Sequence, residues 1–417
     1  MDRKSKMSKI LVVGAGGQGG PCASILAGDE QVSEIRLGDI NYELATKVAE
    51  KIGSSKVNPL KLNAADKEAV IKAAEGVDAV INLTLIDYND NILEAALANK
   101  SHYVDTACNY GYLMHMVENK PLRYSREFQA GGKTALIGCG ATPGMSNICI
   151  RYVCDQMDEV EKIYLRAGYA QLGESQEVVS AWDPGWSPEI ALEDFAEPPM
   201  IFENGQYKTV PIFSRAEKYR FPEPVGSLLL ASHSHEEPYT IPYYIGKGLK
   251  EVDFKYPVDP LAGAFVKMGF ADDREIDVNG ISVVPRDVLM KLVQRPANEF
   301  LDETEASIAN SEDYAWIMEI TVDGVLNGAA CSYCLTDLLL MDKATKLDLF
   351  RKFGSSIIGV SLPAVVGARM CMAGNTDTGV ISSECLDPNI FFRKMAAMGS
   401  PVSFDEKIIK RTLFEEK

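Results

Sequence analysis

Gly14, Gly16 and Gly19 stand at G-x-G-x-x-G spacing directly after a short apolar, β-branched run, Ile10–Val13. Such a run suits a strand buried on both faces. The first glycine permits a tight turn, the second lets the backbone approach a pyrophosphate, and the third lets the following helix pack closely on the strand. Gly17 and Gln18 complete the turn, and free N–H groups at the helix start face the phosphates. A second strand-like run, Glu34–Asp39, ends in a carboxylate about 20 residues on, where it accepts a hydrogen bond from a ribose 2′-OH. Strand, glycine turn, helix and carboxylate together predict a dinucleotide site. Asp39 favours NAD, because a carboxylate repels the 2′-phosphate of NADP, although NADP stays open as the cofactor.

The alternation continues downstream. Val57–Leu62, Asp78–Leu83, His102–Val104 and Thr134–Ile137 read as strands. Asn41–Lys51, a helix capped by Asp66, Asn91–Ala98 and Pro121–Gln129 lie between them. This order calls for right-handed parallel crossovers and a ligand crevice at the carboxyl ends of the strands. Asn41, Asn82, Thr84, Thr106 and Gly138 are therefore candidate cofactor residues. After Asn147 the pattern turns mixed. A helix at Ile148–Gln156 and a strand at Val160–Ala167 precede a turn-rich stretch, Gln171–Pro188. A hairpin over Phe202–Phe213 turns at Asn204-Gly205. Trp316–Val322 and Ala329–Leu335 flank Asp323-Gly324 and Asn327-Gly328. The fold class is α/β. A Rossmann doubly wound parallel sheet occupies residues 1–147, a second mixed α/β substrate domain 148–354, and a C-terminal segment, 355–417, is expected to return to the first.

A net charge of −17 over 417 residues argues against a nucleic-acid partner and against docking on anionic membranes. No apolar stretch reaches the length of a transmembrane helix, and the basic start Met1–Lys9 lacks the apolar region of a signal peptide, so the cytoplasm is expected. Nine scattered cysteines suit a reducing compartment. Cys331 and Cys334 match C-x-x-C, but a strand there points the two thiols to opposite faces and no second pair follows, so no metal is expected.

Three stretches carry candidate chemistry. Asp105, at a strand's carboxyl end, is placed to steer an ammonium or orient a water, and Cys108 three residues on is a candidate proton carrier if its pKa is lowered. In Gly138–Asn147, backbone N–H groups and the Asn147 amide can hold a substrate carboxylate. His233 and His235, two of only four histidines, can take the proton released as an amine is oxidised. Arg166 and Arg215 are guanidinium candidates for a substrate carboxylate.

These residues resemble the saccharopine dehydrogenase family, which includes lysine 6-dehydrogenases and carboxynorspermidine dehydrogenases. The resemblance is carried by Gly14-Ala-Gly-Gly-Gln-Gly19, His102-Tyr-Val-Asp-Thr106, Gly138-Cys-Gly-Ala-Thr-Pro-Gly-Met-Ser-Asn147, Glu237-Pro-Tyr-Thr-Ile-Pro242 and Gly379-Val-Ile-Ser-Ser-Glu-Cys-Leu-Asp-Pro388. It implies hydride transfer between NAD or NADP and a C–N bond of a basic amino acid or its N-carboxyalkyl adduct, in a homodimer. Ala181–Pro188 and Glu193-Asp-Phe195 are similar to the lysine 6-dehydrogenase branch. The expectation is an NAD-preferring dehydrogenase that oxidises an amino-acid C–N bond. A polyamine-pathway reductase running in the condensing direction is the alternative, and a non-catalytic dinucleotide sensor the second.

Overall fold

A seven-stranded parallel sheet organises the first part of the molecule, and the run that ends in the glycine turn is one of its interior strands. The structure, a computed structural model, describes residues 7–173, 182, 184–293, 299–400 and 403–410. The strands are β1 (Ser8–Val13), β2 (Val32–Asp39), β3 (Val57–Lys61), β4 (Ala79–Asn82), β5 (His102–Asp105) and β6 (Thr134–Ile137). A seventh, Gly379–Ser382, pairs with β6. The spatial order is Gly379–Ser382, β6, β5, β4, β1, β2, β3. Ile10, Leu11 and Val12 are completely buried because helices cover both faces, which is the reason the run is apolar throughout. β1 lies between β2 and β4, so the strand order reverses there and a crevice opens at the carboxyl ends.

The C-terminal segment supplies more than that strand. Helix Ser361–Met372 packs on the parallel sheet, and Gly367 permits the approach, since a Cβ there would stand 2.6 Å from Leu136 Cδ2 and 2.8 Å from Cys139 Sγ. Strand Asp405–Lys410 instead joins the second sheet.

That second sheet is mixed and has nine strands, built around the long hairpin Asp313–Leu326 and Ala329–Met341. Glu159–Leu172 runs antiparallel to Asp313–Leu326 and parallel to Glu251–Pro257. Asn204 and Gly205 both have positive φ, 54° and 76°, as the expected hairpin turn requires. Asn327-Gly328 makes the turn of the long hairpin, whereas Asp323-Gly324 lies inside a strand at a register shift. There Gly324 lets the backbone pass Glu159, whose carbonyl oxygen would be 2.1 Å from an added Cβ. Cys331 and Cys334 lie on strand Ala329–Met341 as free thiols.

Six helices escape the periodicity of the sequence: Tyr110–Val117, Pro188–Ala196, Glu237–Tyr244, Pro260–Lys267, Glu299–Asp302 and Glu305–Asn310. Three of them open with proline in the first turn, and Glu237–Tyr244 also carries Pro242 inside, so each reads as turn-rich. The Gln171–Pro188 reading, and with it part of Ala181–Pro188, falls partly outside the described residues. No helix among the described residues is long and apolar enough to cross a membrane.

Candidate active site

The glycine turn is built as a cradle. Gly14 has φ 99°, and a Cβ there would stand 2.7 Å from the Leu83 carbonyl oxygen. A Cβ on Gly19 would stand 1.9 Å from the Gly14 carbonyl oxygen, which is the close helix–strand contact the spacing predicts. Beside Gly16 and Gly17 nothing lies within 4 Å, so the turn presents open space and bare backbone. Tight packing on one side and open backbone on the other fit a dinucleotide pyrophosphate. Asp39 stands at the end of β2, where its Oδ2 accepts from Ala15 N–H and its Oδ1 from Asn41 N–H, each at 2.8 Å. It thereby ties the glycine turn to β2 and leaves its remaining lone pairs for a ribose hydroxyl.

The other cofactor candidates have specific local bonds. Asn41 caps helix Tyr42–Ile52 through Leu44 N–H. Gln18 Oε1 accepts from the Ser361 hydroxyl at 2.7 Å, which joins the turn to the C-terminal segment. Asn82 donates to Asn89 and to the Tyr103 hydroxyl and accepts from both the N–H and the hydroxyl of Thr84. Thr106 lies half-buried against Gly140. Gly138, at φ 61°, donates its N–H to Asp105 Oδ1 at 2.7 Å.

Asp105 is therefore a hub beneath the crevice. Its Oδ2 accepts from the Tyr103 hydroxyl at 2.9 Å and from Asn89 at 3.3 Å. Burial pushes its carboxyl up to about 7, against the opposing bonds from Gly138 and Tyr103. It does not line the cavity described below, so the ammonium-steering role expected of it does not fit: its oxygens are committed to fixing the Gly138 turn. Cys108 does line that cavity, but burial, and then the neighbouring Glu236, holds its thiol well above the ordinary range. A proton carrier needs the opposite shift, and Cys108 instead contributes its N–H, donated to Glu236 Oε1 at 2.9 Å.

Beside these strand ends lies a cavity of about 800 Å³. Seven acidic residues line it: Asp87, Glu189, Glu193, Asp194, Glu197, Glu236 and Asp287. Three cations face them, Arg286, Lys291 and His235, and Arg286 is itself paired with Glu193 at 2.9 Å. Burial pushes Asp194 up to about 7, opposed by the charge of His235. Burial likewise pushes Glu236 up to about 8, opposed by His235 and by the Cys108 N–H. Glu236 Oε2 has no hydrogen-bond partner among the described residues. The cavity thus holds two carboxyls whose protons exchange near neutrality, the range in which general acid–base groups work best.

The two histidines divide. His235 lines the cavity, stacks on Phe254 with centroids 4.3 Å apart, and bonds through Nδ1 to Glu237. Burial pulls its pKa down, but the Glu237 carboxylate outweighs that and raises it to about 9. His233 turns away among Phe195, Phe254 and Tyr256, where burial and then the charge of His235 drive it down to about 3. A permanently neutral ring outside the cavity does not serve the proton transfer expected of the pair.

The substrate-carboxylate candidates are also occupied. Asn147 is completely buried, donating to Glu384 and Thr240 and accepting from Gly144 N–H. Arg166 is buried on its strand and bonded to Asp253 at 2.6 Å and Glu217 at 2.7 Å. The Asn147 NH2 has both hydrogens committed among the described residues, and Arg166 is already charge-paired within its sheet. Arg215 is largely exposed, pairs with Glu203 at 3.1 Å and lies off the cavity lining. Arg215→Ala is expected to leave both turnover and the denaturant midpoint unchanged, because exposed pairs contribute little. Steady-state kinetics and urea unfolding check this.

Sequence reasoning passed over Glu236, Asp194, Glu237 and Glu384. All four lie in stretches that stand out in the sequence, Ser232–Glu237, Glu193–Phe195 and Gly379–Pro388, where the histidines and the motif likeness overshadow them. A pair of glutamates directly after the histidines, on a helix start, was the available signal.

Comparison with known proteins agrees with this architecture. Residues 10–136 match the saccharopine dehydrogenase NADP binding domain, and residues 140–400 the saccharopine dehydrogenase C-terminal domain. The carboxyaminopropylagmatine dehydrogenase of Synechocystis sp. is 26% identical over 411 residues, covering 95% of this chain and 97% of that protein. The carboxynorspermidine synthase of Vibrio alginolyticus is 25% identical, covering 94% and 95%. Among solved structures, apo saccharopine dehydrogenase (L-Glu forming) from Saccharomyces cerevisiae superposes with a TM-score of 0.69 at 15% identity, over 96% of this chain and all of that one. The homospermidine synthase of Legionella pneumophila in complex with NAD gives 0.60 at 13%, over 96% and 91%. At those identities the structures speak for the fold alone.

Proposed function

Because this chain belongs to the saccharopine dehydrogenase family of NAD(P)-dependent oxidoreductases, we propose that it makes or breaks the C–N bond of a carboxylated polyamine adduct. The observation that carries this reading is the acidic cavity beside the crevice. Even with Glu236 protonated and Asp194 partly so, five further carboxyl-bearing side chains stand against three cations, which suits a ligand with several positive charges better than lysine, whose zwitterion brings one net charge. The names of the two relatives point the same way, since both describe a carboxylated polyamine. This places the weight on the alternative raised from sequence rather than on the lysine 6-dehydrogenase-like reading.

The dinucleotide, when bound, supplies the two-electron redox chemistry. The chain's own residues bind, orient and move protons. Gly14, Gly16 and Gly19 bring backbone to the pyrophosphate, and Asp39 takes the adenosine ribose, which favours NAD. Glu236, with its unpartnered Oε2 beside the Gly138 turn, holds the proton exchanged at the substrate nitrogen. His235, kept cationic by Glu237, is a poor base near neutrality and serves as the donor to the substrate carboxylate. Asp194, Glu189 and Glu197 on helix Pro188–Ala196 and its end face the distal ammonium groups.

The test is a substrate panel followed at the reduced-nicotinamide absorbance band: lysine, saccharopine, and diamines mixed with a carboxylated aldehyde. Oxidation of NADH or NADPH that needs both diamine and aldehyde is expected. Turnover with lysine alone would move the assignment back to an amino-acid dehydrogenase. Tight dinucleotide binding with no turnover on any mixture would leave a sensor.

A further inference from the structure

One carboxylate on the returning C-terminal segment closes a network that reaches the cavity. Glu384 is completely buried. Its Oε1 accepts from Asn147 Nδ2 at 2.6 Å and from the Thr240 hydroxyl, and its Oε2 accepts from the Ser382 hydroxyl at 2.5 Å. Burial raises the pKa of this carboxyl, and the three converging donors oppose that by favouring its ionised form. Asn147 and Thr240 belong to the starts of two different helices, Met145–Gln156 and Glu237–Tyr244. The same two helices are bridged again where Ser146 donates to Glu237 Oε1 at 2.6 Å. The other oxygen of Glu237 holds His235 Nδ1.

We propose that Glu384 is a positioning residue for His235: by clamping two helix starts it fixes the Glu237 carboxylate, and Glu237 fixes which ring nitrogen faces the protein and which is offered to the cavity. The inference rests on the reading that His235 serves the substrate at this cavity. The bond made by one ring nitrogen sets the aim of the other. Ser146 has one proton to give, and ionised Glu237 takes it, so Asn147 Oδ1 is left to the Gly144 N–H at 2.8 Å. Glu384 and Thr240 hold that amide orientation together through the Asn147 NH2, and Thr240 is itself bonded to Glu384. Without the Glu384 carboxylate both holds weaken, and the Ser146–Glu237 bridge loosens with the loop. The charged and titratable groups facing His235 are Glu237 and Glu236 next to it in the chain, Asp194 from helix Pro188–Ala196, and His233.

The experiment uses the full chain with NADH bound, 15N-labelled at its four histidines, and follows the ring nitrogens against pH in the parent protein, in Glu384→Gln and in Thr240→Val. His235→Asn assigns the signal. In the parent the His235 ring is expected to stay doubly protonated until about pH 9. In Glu384→Gln it is expected to titrate at least about one unit lower, and kcat/KM to fall about tenfold or more, while the dissociation constant for NADH stays within about twofold. Thr240→Val, which removes one donor to Glu384, is expected to move the ring signals in the same direction by less. If both variants leave the His235 titration and ring signals unchanged, Glu384 only holds the fold together and the proposal is wrong. Should Glu384→Gln not fold, Thr240→Val alone decides, with unchanged His235 signals overturning it. The ring readout needs no turnover, so a failed substrate panel with shifted His235 signals faults the assigned reaction and not the clamp.

Discussion

Glu236→Gln is expected to lower kcat about a hundredfold or more while leaving dinucleotide binding intact. The amide keeps the shape of the side chain and still accepts from the Cys108 N–H, so the crevice wall is preserved. What it loses is the exchangeable proton on the oxygen that has no partner among the described residues. The pH dependence carries the sign. Burial raises Glu236 to about 8, so it is mostly protonated at neutral pH and ionises as pH rises through that value. In the condensing direction, where the nitrogen must gain a proton, kcat/KM is expected to fall as pH rises through about 8. In the oxidising direction, where a base is needed, it is expected to rise over the same interval. Both limbs should vanish in Glu236→Gln. A limb that survives unchanged in the variant would assign the proton to another group, with Asp194, at about 7, the next to test.

Gly19→Ala is expected to abolish dinucleotide binding and to destabilise the chain by more than about 3 kcal/mol. The added methyl would sit 1.9 Å from the Gly14 carbonyl oxygen, a backbone atom that cannot move without pulling β1 away from β2 and β4. Gly16→Ala is the contrast, because nothing lies within 4 Å of a Cβ there. It is expected to fold normally and to weaken only the dinucleotide, whose pyrophosphate claims that open space. Thermal unfolding with and without NADH separates the two. Equal midpoints for Gly19→Ala and the parent protein would contradict the packing described here.

The contrast between these sites explains what could be read from one chain. The dinucleotide half is legible because its signals are local: a strand, three glycines and a carboxylate within one crossover, each demanded by backbone geometry. The cavity is not. Its carboxylates come from Asp87, from helix Pro188–Ala196, from Glu236 and from Asp287, stretches that no sequence period joins. Arg166 shows the same difficulty in reverse. Alone it looks like a free guanidinium, and only the neighbouring strands reveal that Asp253 and Glu217 already hold it. Asn147 stands out in its loop as a candidate for a substrate carboxylate, whereas its amide is taken by protein partners, one of which, Glu384, lies 237 positions away. The hidden helices have a chemical cause, since prolines at Pro188, Pro238, Pro242 and Pro260 imitate turns while sitting mostly in first turns where a missing N–H costs nothing.

The most direct measurement compares two amines as co-substrates with one carboxylated aldehyde and NADH: a diamine, and the amino alcohol of equal length in which a hydroxyl replaces the distal ammonium. If the acidic cavity reads the far charge, kcat/KM should favour the diamine by about a hundredfold or more, and the preference should shrink as salt is raised. Equal kcat/KM for the two amines would contradict it, leaving a family oxidoreductase whose carboxylates do not choose the substrate.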